Sequence, residues 1–397
     1  MKTFTKNNIS VWLSVAFLVW ISSTVTVFGQ PIYSRPTSPT PSPRTLQQPT
    51  TVQTAQPKPS STPLVTKTGS SMPVARRTSI PILADVEIPG FSGILVEDLN
   101  GNVVLESFSN FAFNPASNVK IATAYSVLKT FGPDYRFPTN VWTDGQIDTV
   151  SGTLYGNLYV SGRDPIFNLE HGIAISNELN RMGVKSIMGD LIVTDNFAMN
   201  YNTQAQRSGS TLLGVMDAAK RLPAATYAWQ SYLANSKKAN QVGFVPSVSI
   251  SGGVFVQSLP TNVKLLFTHE STPMREIVKT TLCYSNNFLS ERLGDMLGGA
   301  YAVARIVQLN AQIAPQEFVL QTSSGLGTNR VTPVAMMRLL RTLRNELARN
   351  RMTFADIMPV AGIDRGTLER RLTPIFHAEA SSAKPELWVV LTAASAV

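Results

Sequence analysis

A single cysteine, Cys283, stands in 397 residues. One thiol cannot close an intramolecular disulfide or build a cysteine zinc cluster, so neither staple is open to this chain. Histidine is almost as scarce. His171, His269 and His377 lie far apart in sequence and lack the helical spacing of metal ligands, so no metal is expected. There is no Gly-x-Ser-x-Gly elbow and no glycine-rich phosphate loop. Acidic charge is also in deficit: Asp and Glu number 25 against 34 Lys and Arg, a net +9. A basic chain is drawn to anionic surfaces, whether nucleic acid, anionic lipid or acidic wall polymer.

What is present begins with 43% hydrophobic residues, enough for a large core. At the N-terminus Lys2 and Lys6 precede an apolar run from Ile9 to Phe28, with Gly29 after it. That order reads as a secretory signal over residues 1–29, or as an uncleaved anchor, since about 20 residues span a bilayer. Either way the remainder is expected to be exported, to the periplasm or cell envelope, where nucleic acid is no partner. Any membrane contact is confined to this segment. Residues 30–80 are rich in Pro, Ser, Thr and Gln and read as an extended solvated tether.

Folded structure is expected from about residue 81. Asn100-Gly101 between two β-type runs suits a hairpin turn. After Pro115, Ile121, Ala124, Tyr125 and Leu128 follow helical spacing. The stretch 141–261 has short strand-like runs such as Thr153–Gly162 and reads as mostly β. A helix is expected to start near Thr272, with Thr272 as cap and Pro273 in the first turn. Another is expected over Pro333–Met352, with Met336, Leu340, Leu343 and Leu347 inward and Arg338, Arg341 and Arg344 on a solvated face.

Ser117-Asn118-Val119-Lys120 sits where a helix begins. Ser-x-x-Lys spacing puts hydroxyl and amine one turn apart on one face. A serine hydroxyl needs a base to become a nucleophile, and a lysine serves when burial lowers its pKa. The helix N-terminus adds a positive dipole that favours both steps. The flanking "FNPASNVK" and "IATAYSVLKTFGPDYRF" resemble the nucleophile helix of penicillin-binding proteins of the D-alanyl-D-alanine carboxypeptidase/endopeptidase class with an inserted domain, serine peptidases of the S13 type. Ser285-Asn286-Asn287 resembles their second motif, Ser-x-Asn. "YGNLYVSGRDPIF" and "GDLIVTDNF" resemble the inserted domain, with Arg163 where a second glycine is usual. "QTSSGLGTNRVTP" and "MPVAGIDRGTLERRL" resemble segments leading to the last strands. The resemblance spans about residues 83–372.

The resemblance implies an α+β fold. A transpeptidase-like catalytic domain, an antiparallel sheet with helices, would combine 81–140 with 262–397, and 141–261 would form the inserted domain. It implies cleavage of peptidoglycan stem peptides through an acyl-serine intermediate, with β-lactams as inhibitors and no cofactor. Ser117 would be the nucleophile, with Lys120 and Ser285 managing protons and Asn287 holding the peptide. The family's third motif, Lys-Thr-Gly, is absent; Lys384-Pro385-Glu386 stands nearest its place. Proline removes a strand N–H and Glu386 would repel a substrate carboxylate. Synonymous codons for Ala383–Leu387, read two bases later, spell Lys-Thr-Gly-Thr, so a shifted reading frame and true divergence both stay open. A wall-binding homologue without turnover and a β-lactamase are the alternatives.

Overall fold

The computed structural model describes residues 77–78, 92–98, 100–235, 244–369 and 387–393. The signal, residues 30–76 of the tether and Lys384-Pro385-Glu386 fall outside these residues; Arg77–Thr78, expected in the tether, instead form a strand paired with Leu105 and Glu106. No helix among the described residues is long and apolar enough to cross a membrane.

The first sheet runs in the order β1 (Arg77–Thr78), β3 (Val103–Ser107), β2 (Ser92–Asp98), β15 (Leu387–Ala393). The β2–β3 turn carries Asn100-Gly101 as expected. Gly101 adopts φ +92°, a value that favours glycine. The Asp98 carboxylate accepts the Asn100 and Asn102 amides at 2.9 and 2.8 Å. β15 pairs antiparallel with β2 along its whole length, Leu387 to Asp98 through Ala393 to Ser92, so the apolar tail supplies the strand its composition favours.

α1 (Val119–Phe131) follows a short 3₁₀ turn at Ala116–Asn118. Every residue from Val119 to Leu128 is buried, not only the face its spacing predicts. A helix covered on all sides is a central one. It packs among α5 (Met274–Cys283), α6 (Asn287–Leu297), α7 (Ala300–Ala311) and α8 (Pro333–Arg349). Tyr125, Ile277, Val303 and Leu343 belong to the core they share. A two-stranded ribbon, β13 (Phe318–Val319) with β14 (Arg330–Val331), precedes α8. Thr332 caps α8 by accepting from the Ala335 amide at 3.0 Å, and the four predicted apolar positions are all buried. Of its arginines, Arg341 pairs with Glu97 of β2 and Arg338 with Glu317. The expected start of α5 moves by one residue: Pro273, with ψ 154°, is the cap, and Thr272 makes no cap bond. The local hydroxyl is Ser271, which accepts the Phe137 amide.

A second core lies between α1 and α5 in the chain. β4 (Pro138–Thr143), β5 (Gln146–Asp148), β6 (Thr153–Tyr155), β7 (Leu158–Gly162), β8 (Ser186–Met188), β9 (Leu191–Val193), β10 (Ser249–Ile250), β11 (Val254–Val256) and β12 (Lys264–Glu270) form two sheets, ordered β10-β8-β6-β5 and β11-β9-β7-β4-β12. The strands expected from the sequence are accompanied by α2 (Leu169–Arg181), α3 (Ala205–Met216) and α4 (Pro223–Asn235). These add Ile173, Leu179, Leu212 and Trp229 to its core. β4 and β12 pair antiparallel across Pro138–Thr143 and Lys264–Glu270. Boundaries at 140/141 and 261/262 would therefore cut through one sheet: both connections lie outside β4 and β12.

Candidate active site

The segment before Ser117 is pinned on both sides. Phe113 exchanges backbone bonds with Val331 at 3.0 and 2.9 Å. The Asn114 side chain accepts the Ala116 amide at 3.1 Å and donates to the Gly327 carbonyl at 3.0 Å. Ala116 is then held at φ +46°, an unfavourable value for a residue with a Cβ, of the kind that collects at functional sites. The 3₁₀ turn presents Ser117, and α1 presents Lys120 one turn later. Lys120 Nζ donates to Ser117 Oγ at 3.1 Å.

Ser285 reaches the same point from the α5–α6 junction. It too has positive φ, +50°, which turns the chain sharply between the helices. Its hydroxyl donates to Ser117 Oγ at 3.1 Å. Asn286 caps α6 by accepting the Leu289 amide at 3.0 Å, so Asn287 begins the helix. The Asn287 Oδ1 atom accepts from Lys120 Nζ at 2.7 Å. The structure thus gathers all four residues singled out from the sequence, Ser117, Lys120, Ser285 and Asn287, around one hydroxyl and one amine.

Other residues complete the cluster, and the motifs do not name them. The Ser324 carbonyl takes the third Lys120 bond at 2.6 Å. The Glu291 carboxylate on α6 holds that loop, accepting the Ser323 and Ser324 amides at 3.1 and 2.9 Å. Thr123 and Ser290 both donate to the Ser323 carbonyl at 2.6 Å. Gly325, at φ +93°, lets the loop lie against the active-site turn, where a Cβ would collide with the Ala116 carbonyl. The one sequence signal was the Ser-Ser-Gly in the quoted loop; Glu291, one charged helix residue among several, carried none.

The ammonium has three donors, and three acceptors meet it. Lys120 is nonetheless only 2% exposed and makes no ion pair among the described residues. Burial pushes its pKa down to about 8, against the opposing charge of Glu291. A lysine so shifted has a usable unprotonated fraction near neutral pH, and its lone pair faces Ser117 Oγ. The arrangement can deprotonate a serine and pass the proton onward through a second hydroxyl.

Two of the three histidines, distant in sequence, meet in the second core. The rings of His171 and His269 lie 5.3 Å apart. Burial, then His269, holds the His171 imidazole down to about 3. No group of three potential metal ligands occurs among the described residues.

Comparison with known proteins adds three findings. The model of the D-Ala-D-Ala carboxypeptidase 3 (S13) family matches residues 81–208 and 236–384. The penicillin G-acylated predatory endopeptidase Bd3459 of Bdellovibrio bacteriovorus, in complex with immunity protein Bd3460, is similar at 20% identity and TM-score 0.58. That match covers 70% of this chain and 74% of Bd3459. Penicillin-binding protein 4 of Haemophilus influenzae, complexed with a β-lactam, is similar at 18% identity and TM-score 0.51, covering 73% of this chain and 82% of that one. These two likenesses show a shared fold.

Proposed function

The chain belongs to the D-Ala-D-Ala carboxypeptidase 3 (S13) family, and from that premise we propose that Ser117 is the acylated nucleophile of a penicillin-binding peptidase acting on peptidoglycan stem peptides. The observation that carries the residue assignment is the Ser117 hydroxyl held 3.1 Å from both Lys120 Nζ and Ser285 Oγ. Unprotonated Lys120 takes the Ser117 proton. The freed oxygen bonds to the carbonyl carbon of the penultimate D-Ala, and the carbonyl electron pair moves to its oxygen. On collapse the C–N bond breaks, and Ser285 relays the proton from Lys120 to the departing amine. Water then repeats the sequence against the acyl ester. Asn287, already oriented by Lys120, holds the peptide amide. A β-lactam presents the same carbonyl, and Bd3459 supplies a relative of this fold acylated by penicillin G.

The inserted unit expected over residues 141–261 is proposed to extend to β4 and β12, residues 138–270, and to act beside the catalytic one. Export to the periplasm or cell envelope follows from the substrate and from the reading of residues 1–29. The test is release of D-Ala from a peptide ending in D-Ala-D-Ala, compared with the Ser117→Ala variant. Release that requires Ser117 supports the peptidase; none by either form, together with retained binding to peptidoglycan, supports the wall-binding alternative. A specific observation favours keeping that alternative: the family match ends at Lys384, where Pro385-Glu386 replaces Thr-Gly. Rapid turnover of penicillin, rather than a lasting adduct, would identify a β-lactamase.

A further inference from the structure

A cavity of about 380 Å³ lies where the two cores meet. Its apolar wall is Phe131, Tyr135 and Phe137, whose ring centroids are 5.1 to 6.3 Å apart, closed by Met296 near the end of α6. The opposite side is the end of β7, where Arg163 follows Ser161 and Gly162. α1 and α6 both start at the Ser117 cluster and both end here. At about 1.5 Å per residue, the cavity lies on the order of 15–20 Å from the serine, so it is no part of the acylation site.

A second guanidinium, Arg292, contacts the same asparagine as Arg163 without lining the cavity. Arg292, one helical turn before Met296, donates through Nη2 to the Asn196 carbonyl at 3.0 Å. Arg163 Nε donates to the Asn196 side-chain oxygen at 2.7 Å, with the amide nitrogen turned to Thr194. Two positive groups therefore share one asparagine, and neither makes an ion pair among the described residues. Arg292 Nε is buried and has no hydrogen-bond partner. Burial lowers the Arg292 pKa and the charge of Arg163 adds to it, while Asp295 on the same helix opposes both. A buried guanidinium N–H left unmade is costly, and at Arg292 the charge of Asp295 outweighs that of Arg163. An anion in the cavity would give Arg163, which lines it, a counter-charge.

We propose that this cavity is a binding site for a small organic carboxylate with an apolar or aromatic body. The carboxylate lies against Arg163, and the body against Phe131, Tyr135 and Phe137. Guanidinium groups match a planar carboxylate in bidentate fashion, and the aromatic wall accounts for the non-polar part.

The test uses the full chain and 3-phenylpropionate, followed by titration calorimetry and by chemical shifts of the cavity aromatics. Saturable binding is expected, weakened about tenfold or more for the neutral 3-phenylpropionamide and for Arg163→Gln, the loss a charge-assisted bond implies. Arg163→Lys should fall between. Unchanged far-UV circular dichroism in the variants shows that they are folded. A variant that does not fold is replaced by Phe131→Leu, which is expected to weaken binding through the wall. Absence of saturable binding, equal affinity for the amide, or undiminished affinity in Arg163→Gln would overturn the proposal. Inorganic phosphate binding as well as 3-phenylpropionate would show a bare anion site and overturn the assigned ligand class.

Discussion

Lys120 carries the account at the residue scale, because the same burial that shifts its pKa costs the folded state. Its folded pKa of about 8 lies below the 10.5 of an ordinary lysine. The acylation rate should therefore climb as pH rises through about 8, while Lys120 loses its proton, and level off above. Lys120→Met should lower acylation by about 10²–10⁴-fold. Glu291 gives a sharper reading. Its charge raises the Lys120 pKa, so Glu291→Gln should move the midpoint of the pH–rate profile to lower pH. A purely structural role would reduce the rate and leave the midpoint in place. The four motif residues were legible because their types and spacing carry the chemistry. Glu291 was not, since its part depends on where the loop at Ser323 and Ser324 comes to lie, and only the fold brings that loop to α6.

Among the elements, the site is built from the starts of α1 and α6 and from a loop that leans on the turn before α1. Gly325 makes that approach possible, and Gly325→Ala places a side chain against the Ala116 carbonyl at a φ of +93°. The expected result is a loss of about 1–3 kcal/mol in stability, read by denaturant unfolding, together with slower penicillin labelling. Strong periodicity makes an element legible in the sequence. In α8 the buried Met336, Leu340, Leu343 and Leu347 and the Thr332 cap follow directly from pattern. α5 starts one residue later than expected, with Pro273 at the cap position and no side-chain cap bond. α2, α3 and α4 escaped notice because they lie among short strands rich in Gly, Val and Ser. The amphipathic stripe of Ile173, Leu179 and their neighbours is interrupted there by Asn and Ser.

At the scale of the whole molecule, two cores are joined just outside β4 and β12, and the tail adds the edge strand β15 to the first sheet. Removing residues 384–397 strips the seven residues paired with β2 and turns this interior, apolar strand into the sheet edge, a template for association. The truncated chain should unfold at lower temperature than the full chain and aggregate, as scattering during a thermal scan would report. The tail is also where sequence reading and family pattern diverge, and a gene sequence whose codons spell Lys-Thr-Gly in the adjacent frame would explain Pro385 and Glu386 as a shifted frame. The most direct test of the central claim is mass spectrometry of the full chain after incubation with penicillin G. One adduct per chain, mapped to the peptide holding Ser117 and absent in Ser117→Ala, is the predicted result. No adduct at all, or an adduct that persists in Ser117→Ala, would contradict the assignment of Ser117 as the acylated nucleophile.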